Sequence, residues 1–328
     1  MLKNRVKHFA MTSGTLGLTL LGIVGCGTDP STSTKTGIAV ADTQNTTGST
    51  PKPAVIQAVG AENEYANVIS QIGGKYVNVT AVMSNPNTDP HTYEASAQTA
   101  KEISSAQLIV QNGVGYDGFM NKLESASTNT NRKVIDVQTL LGLPDNTQNP
   151  HLWYKPSTMP QVAKAIANNL SALDPAKTAY FQDNVKNFDQ SLQPWISEMA
   201  TVQSEFPNVP VATTEPVCDY MLQASGIDNM TPWVFQADVM NGTDPSPQDV
   251  SVEENLFKQH LVKAFLYNQQ VVDSLTTSLL NLAKQNHIPV VGVYETMPSN
   301  HSYQSWMLDE VKDLQNALKN HVSTERLS

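Results

Sequence analysis

Two histidines sit in closely similar surroundings sixty residues apart: His91 in "SNPNTDPHTYEAS" and His151 in "NPHLWYKPS". Each follows a proline. Proline fixes its own φ and disfavours helix in the residue before it, so both imidazoles are offered from stiff loops rather than from helices or strands. Two glutamates extend the pattern, Glu215 in "VPVATTEP" and Glu295 in "PVVGVYET", each at the end of a strand-like run. Singly, each residue has a bland role. A loop histidine is usually surface polarity, and Glu215 can cap the helix that begins at "VCDYM". Jointly, two imidazoles and two carboxylates suit a divalent cation, because carboxylates buried without one are costly.

The elements around them say how four such groups could meet. From residue 54, short β-branched runs ("AVIQAVGA", "YVNVTAVM", "LIVQNGV", "KVIDV") alternate with helical periods, which predicts a parallel sheet of βαβ units. A second alternating set starts at "NVPVATTEP" and runs through a helix at "CDYMLQASG" and a short strand near "TPWVFQ". It continues with a helix capped at Ser246, the strands "VKAFLYNQQ" and "PVVGVYET", and a last helix at "SYQSWMLDEVKDLQNALK". Between the sets, Phe181, Val185, Phe188, Leu192, Trp195, Met199, Val202 and Phe206 step by fours and threes along one helical face. Pro194 lies inside that stretch and predicts a bend or break near residue 190. The reading is an α/β fold of two parallel-sheet lobes, 53–173 and 207–328, joined by one long helix over 174–206. Open parallel sheets bind ligands at the carboxyl ends of their strands. A cleft between the lobes would collect His91 and His151 from one side, Glu215 and Glu295 from the other.

The chain has 328 residues, a formal charge of −10 and 40% apolar content, enough for two lobes with a sizeable core. No basic stripe is available to displace the counterions of a nucleic-acid backbone, so nucleic acid is excluded as a partner. Residues 1–25 read as a signal peptide, with Lys3, Arg5 and Lys7 ahead of a run without charges from Phe9 to Val24. That segment ends in Ile23-Val24-Gly25-Cys26, which resembles the lipobox of bacterial lipoproteins. The resemblance implies cleavage before Cys26 and lipidation of it. Residues 26–52, rich in Ser, Thr, Gly and Pro, read as a flexible tether. Cys218 is then the one remaining cysteine, by default a small buried hydrophobe, and no intramolecular disulfide is expected.

From about residue 54 the whole chain resembles the bacterial substrate-binding lipoproteins that serve manganese and zinc ABC transporters. The motifs that carry the resemblance are "NPNTDPHTYEAS", "LIVQNGVGYDGFM", "NPHLWYKPS", "TTEPVCDYM", "DPSPQDV", "VKAFLYN" and "VVGVYETMP", in order through both lobes. It implies two Rossmann-like lobes joined by one long helix, with a metal held by one residue from each of four loops. Those positions fall on His91, His151, Glu215 and Glu295. The fourth is usually Asp in that family, which makes Glu295 a departure and His301 the substitute to consider. The long His/Asp-rich loop of many zinc-specific members is absent between His91 and His151.

The expected function is that of a lipid-anchored protein on the extracytoplasmic face of the cell membrane. As a monomer, it would capture a divalent metal and deliver it to the membrane subunits of an ABC permease. Mn²⁺ is favoured over Zn²⁺, because two imidazoles and two carboxylates make an oxygen-rich shell, whereas Zn²⁺ prefers four ligands richer in nitrogen or sulfur. The alternative is a zinc metallohydrolase, but that chemistry needs an open coordination position and a nearby base, and the plausible carboxylates are already used. No HExxH helix exists. A surface-adhesin role has no feature in the sequence to carry it.

Overall fold

The computed structural model describes residues 55–87, 90–127 and 129–327. The expected signal peptide, Cys26 and the tether lie outside the described residues, as does Asp89 of the first histidine loop.

The first lobe contains β1 (Ile56–Glu62), α1 (Asn63–Gly73), β2 (Val77–Met83), α2 (Ala97–Ser105), β3 (Leu108–Gln111), α3 (Gly118–Ala126), β4 (Lys133–Asp136), α4 (Val137–Leu140) and α5 (Thr158–Leu173). Its strands pair in the order β2-β1-β3-β4, all parallel. β3 is buried along its whole length, as a strand covered by helices on both faces must be. The chain order reverses between β1 and β3, so the crevice for a ligand opens beyond Glu62 and Gln111.

The second lobe holds β5 (Pro210–Thr213), α8 (Asp219–Ala224), β6 (Asp228–Asn229), α9 (Trp233–Met240), α10 (Pro247–Lys258), β7 (Phe265–Asn268), α11 (Ser274–Gln285), β8 (Val290–Val293) and α12 (Tyr303–Asn320). Its sheet has the matching order β6-β5-β7-β8, again all parallel. The reversal here lies between β5 and β7. Ser246 caps α10 as expected, accepting a hydrogen bond from the Asp249 amide at 3.2 Å.

Two sequence expectations need correction. "TPWVFQ" is not a strand: residues 233–240 form α9, and the short strand lies earlier, at Asp228–Asn229. The aromatic and β-branched run looks strand-like. Pro232, however, has the extended geometry of a helix start, and the Gln236 amide donates to its carbonyl at 3.1 Å. Phe235 and Val239 are buried four residues apart, on a helical period. The connecting stretch is also not one continuous helix. It is two, α6 (Thr178–Ser191) and α7 (Gln193–Glu205), meeting at Leu192. Pro194 stands at the start of α7 and has no N–H to continue the ladder, which is where the sequence predicts the interruption. The apolar face survives it, with Phe181, Val185, Phe188, Leu192, Trp195, Met199 and Val202 all buried. α6 packs on α1 and α5, and α7 on α8 and α12.

One hydrophobic core runs through both lobes: Val110 and Ile166, then Phe188 and Trp195, then Leu266 and Trp306 belong to a single cluster. Smaller clusters lie under the outer faces, around Phe257 and Phe265 in the second lobe and around Ile109 and Met120 in the first.

Candidate metal centre

Each strand-end loop is fixed by its own chemistry. His91 lies in a single 3₁₀ turn, Pro90–Thr92, closed by the Tyr93 amide on the Pro90 carbonyl at 3.1 Å. Its side chain is 26% exposed. Ser96 then caps α2, accepting from the Thr99 amide at 3.0 Å, which settles the loop's far end.

His151 is fully buried, and Asn149 orients it. The Asn149 side-chain nitrogen donates to the Pro216 carbonyl at 2.7 Å, so its oxygen must face the histidine. That oxygen accepts from the His151 backbone amide at 2.9 Å and lies 2.8 Å from Nδ1. Nδ1 therefore carries a proton, and Nε2 is the nitrogen that faces the site.

Both Nε2 atoms reach the same carboxylate oxygen. His91 Nε2 lies 3.1 Å and His151 Nε2 3.2 Å from Oε2 of Glu295. The Tyr116 hydroxyl donates to that oxygen at 3.0 Å. His91, His151 and Glu295 form a group able to hold one ion, each offering one ligand atom with all three inside 4.8 Å of one another. Burial works to raise the Glu295 carboxyl, but the hydrogen bonds and charges of His151 and His91 outweigh it and keep the group ionised. Burial lowers the His151 imidazole, with Glu295 opposing. A cation bound at the two Nε2 atoms would take the place of the hydrogen that lies between each imidazole and Glu295.

Glu215 approaches from β5, two residues beyond the strand, and is 1% exposed. Asn268, the last residue of β7, joins it to Glu295: its Nδ2 donates to Glu295 Oε1 at 2.7 Å and to Glu215 Oε2 at 3.3 Å. Glu215 is no helix cap, since α8 begins behind Cys218 and takes no side-chain cap. His301 is directed elsewhere, with Nδ1 3.0 Å from the Ser299 carbonyl and Nε2 3.7 Å from Asp309.

Tyr116 packs edge-on against His91, His151 and Trp153, with ring centroids 5.4, 5.8 and 5.0 Å away. It is delivered by an unusual backbone run, Gly113-Val114-Gly115, with φ of 80°, 54° and 76°. A β-branched residue in that region is strained, and the Val114 amide is held by Gln138 Oε1 at 2.7 Å. Outside it, a cleft of about 430 Å³ opens onto His91, lined among others by Val114, Tyr116, Trp233 and Met240.

Behind the cluster lie further acids. Glu62, Glu64 and Asp117 are buried, whereas no lysine or arginine is buried among the described residues. Burial pushes the Glu62 and Glu64 carboxyls well up and Asp117 up to about 6. The structure brings His91, His151 and Glu295 together and links Glu215 to them through Asn268, whereas the sequence reading did not name Tyr116, Asn149 or Asn268. Asn268 had a signal, because it ends β7 as Glu215 and Glu295 follow β5 and β8.

Two parallel-sheet lobes with a His/His/Glu cluster between their strand ends define the class as a two-lobed binding fold. Residues 59–317 match the family described as zinc-uptake complex component A, periplasmic, and the chain belongs to that family. It is 22% identical over 252 residues to the manganese ABC transporter substrate-binding lipoprotein PsaA of Streptococcus anginosus, covering 72% of this chain and 78% of that protein. To the manganese-binding lipoprotein MntA of Bacillus subtilis it is 26% identical, over 42% of this chain and 47% of MntA. The fold is shared with the periplasmic zinc-binding protein TroA of Treponema pallidum. There the TM-score is 0.69 at 18% identity, covering 81% of this chain and 99% of that one. It is shared too with a Mn-bound periplasmic metal-binding protein from Candidatus Liberibacter asiaticus, with a TM-score of 0.66 at 17% identity, over 81% and 100% of the two chains.

Proposed function

We propose that this chain is the substrate-binding component of a metal ABC transporter, capturing a divalent cation between its lobes and passing it to a membrane permease. The observation that carries this reading is the meeting of His91 and His151 Nε2, from one lobe, on Glu295 Oε2 from the other, at 3.1 and 3.2 Å. His91, His151, Glu215 and Glu295 hold the ion. Tyr116, Asn149 and Asn268 orient these ligands without binding it. The protein works as a monomer outside the cytoplasmic membrane, tethered through lipid on Cys26. The family is one of uptake components, which argues against the hydrolase alternative.

The cargo is Mn²⁺ in preference to Zn²⁺. Each carboxylate oxygen has two lone-pair sites, so the Asn268 hydrogen bonds leave Glu215 and Glu295 able to use both oxygens on an ion. Such a shell suits Mn²⁺. Tightness in vitro does not discriminate, because Zn²⁺ outbinds Mn²⁺ at most nitrogen and oxygen sites. The test is cellular. In a deletion strain, manganese content falls and added manganese restores growth. Depletion of zinc alone, rescued by zinc and not by manganese, would exclude manganese and keep the transport reading.

A further inference from the structure

Three residues beyond His151 and one before Glu295, the two ligand loops meet at a single hydroxyl. Tyr154 Oη lies 2.7 Å from the Tyr294 carbonyl oxygen and 2.7 Å from Glu310 Oε2. The other carboxyl oxygen of Glu310 accepts from Trp306 Nε1 at 2.6 Å. Tyr154, Trp306 and Glu310 are fully buried. α12 grips the same turn a second time, through the Tyr303 hydroxyl on the Trp153 carbonyl at 2.6 Å. Tyr303, Trp306 and Glu310 recur at three and four residues, so one face of α12 makes all these contacts.

Counting hydrogens decides the state of this group. A tyrosine hydroxyl has one hydrogen, and a carbonyl oxygen can only accept. The contact between Tyr154 and Tyr294 therefore takes the tyrosine's hydrogen. The equally short contact to Glu310 then needs a hydrogen from the carboxyl. Were Glu310 ionised, one of the two contacts would set lone pair against lone pair.

We propose that Glu310 is a neutral carboxylic acid whose hydrogen, relayed through the Tyr154 hydroxyl to the Tyr294 carbonyl, latches the His151 loop to the Glu295 strand end. Glu310 and Tyr154 are thus positioning residues, setting the spacing between the two halves of the metal site without touching the ion. The groups that face Glu310 agree. Tyr154 and Tyr294 come from the two loops, Cys218 from the start of α8 and Asp313 from the next turn of α12, and none of them supplies a positive charge. Burial pushes Glu310 up to about 8, against the pull of the Tyr154 and Trp306 hydrogen bonds. Ionisation above that pH removes the donor and loosens the latch.

The effect on affinity rests on the proposed cargo role, but the proton assignment does not, and two measurements separate them. The first is the infrared difference spectrum between the full chain and Glu310→Gln without metal. At about pH 6 it should contain a protonated-carboxyl band, which should fade as pH rises through about 8. The second is calorimetric titration with Mn²⁺. The amide of Glu310→Gln can donate to Tyr154 and accept from Trp306, so this variant should bind within about twofold of wild type near pH 6.5. It should also escape the alkaline loss that wild type shows. Tyr154→Phe should bind about tenfold more weakly at every pH. A missing band, or Glu310→Gln binding as poorly as Tyr154→Phe, overturns the latch. If wild type binds no Mn²⁺, the cargo reading falls and the band alone decides the proton.

Discussion

The side-chain amide of Asn268 bridges two acids that β5 and β8 bring from different parts of the second lobe, 2.7 Å from Glu295 and 3.3 Å from Glu215. One neutral side chain thereby links two buried acids. Asn268→Ala should weaken Mn²⁺ binding by about 10- to 100-fold, the usual effect of losing a partner that orients ligands. Calorimetric titration measures this directly, and an unchanged affinity would remove Asn268 from the site.

The histidines should separate cleanly in the same assay. His91→Ala and His151→Ala each delete a nitrogen proposed to bind the ion, and each should cost more than about 100-fold. His301 is engaged with Ser299 and Asp309, so His301→Ala should stay within about twofold. A large loss at His301 with none at Glu295→Ala would reverse the assignment of the fourth ligand.

Glu253 offers a test of stability away from the site. It is buried on α10, accepts only from the Thr231 hydroxyl at 3.2 Å, and is pushed up to about 8 by burial. An unfolded glutamate titrates near 4.3, so the folded chain holds this proton more tightly. Its stabilising contribution is complete below about pH 4 and is lost as pH rises towards 8. Glu253→Gln should flatten that decline and raise stability at about pH 8–9 by up to a few kcal/mol. Thermal unfolding across pH would show it; an unaltered slope would mean that Glu253 is ionised in the fold.

Cys26 lies outside the described residues, and its test is biochemical. Several acyl chains anchor stably where one binds only marginally, so blocking lipidation should free the protein. Cys26→Ser should appear in the medium or remain unprocessed in cell fractions. Firm membrane attachment of a processed variant would contradict the lipobox.

Much of this was legible because parallel sheets obey simple rules. Alternating β-branched runs and helical periods marked both sheets, and the carboxyl-end rule put His91, His151, Glu215 and Glu295 near one cleft. Pro194 marked the interruption between α6 and α7. α9 was misread because Trp233, Val234 and Phe235 have strand-like propensities, which Pro232 and burial at a four-residue spacing override. The residues that hold this cluster in place were hidden for another reason. Tyr116 and Asn268 act through contacts made across the fold, and although Asn149 lies only two residues before His151, its amide is turned by the distant Pro216 carbonyl. Glu310 was harder still, since a glutamate on an amphipathic helix ordinarily faces water.

The core that threads both lobes has a bearing on how quickly cargo can come and go. Val110, Trp195, Leu266 and Trp306 belong to one apolar cluster, so a wide separation of the lobes would disturb packing that continues from one to the other. The His91 turn and the strained Val114 loop stand at the rim, beside the 430 Å³ cleft, where a movement of the loops would open the cluster without disturbing that packing. Loop motions of this kind run in nanoseconds to microseconds, faster than the microsecond-to-millisecond hinge motions of clamshell proteins.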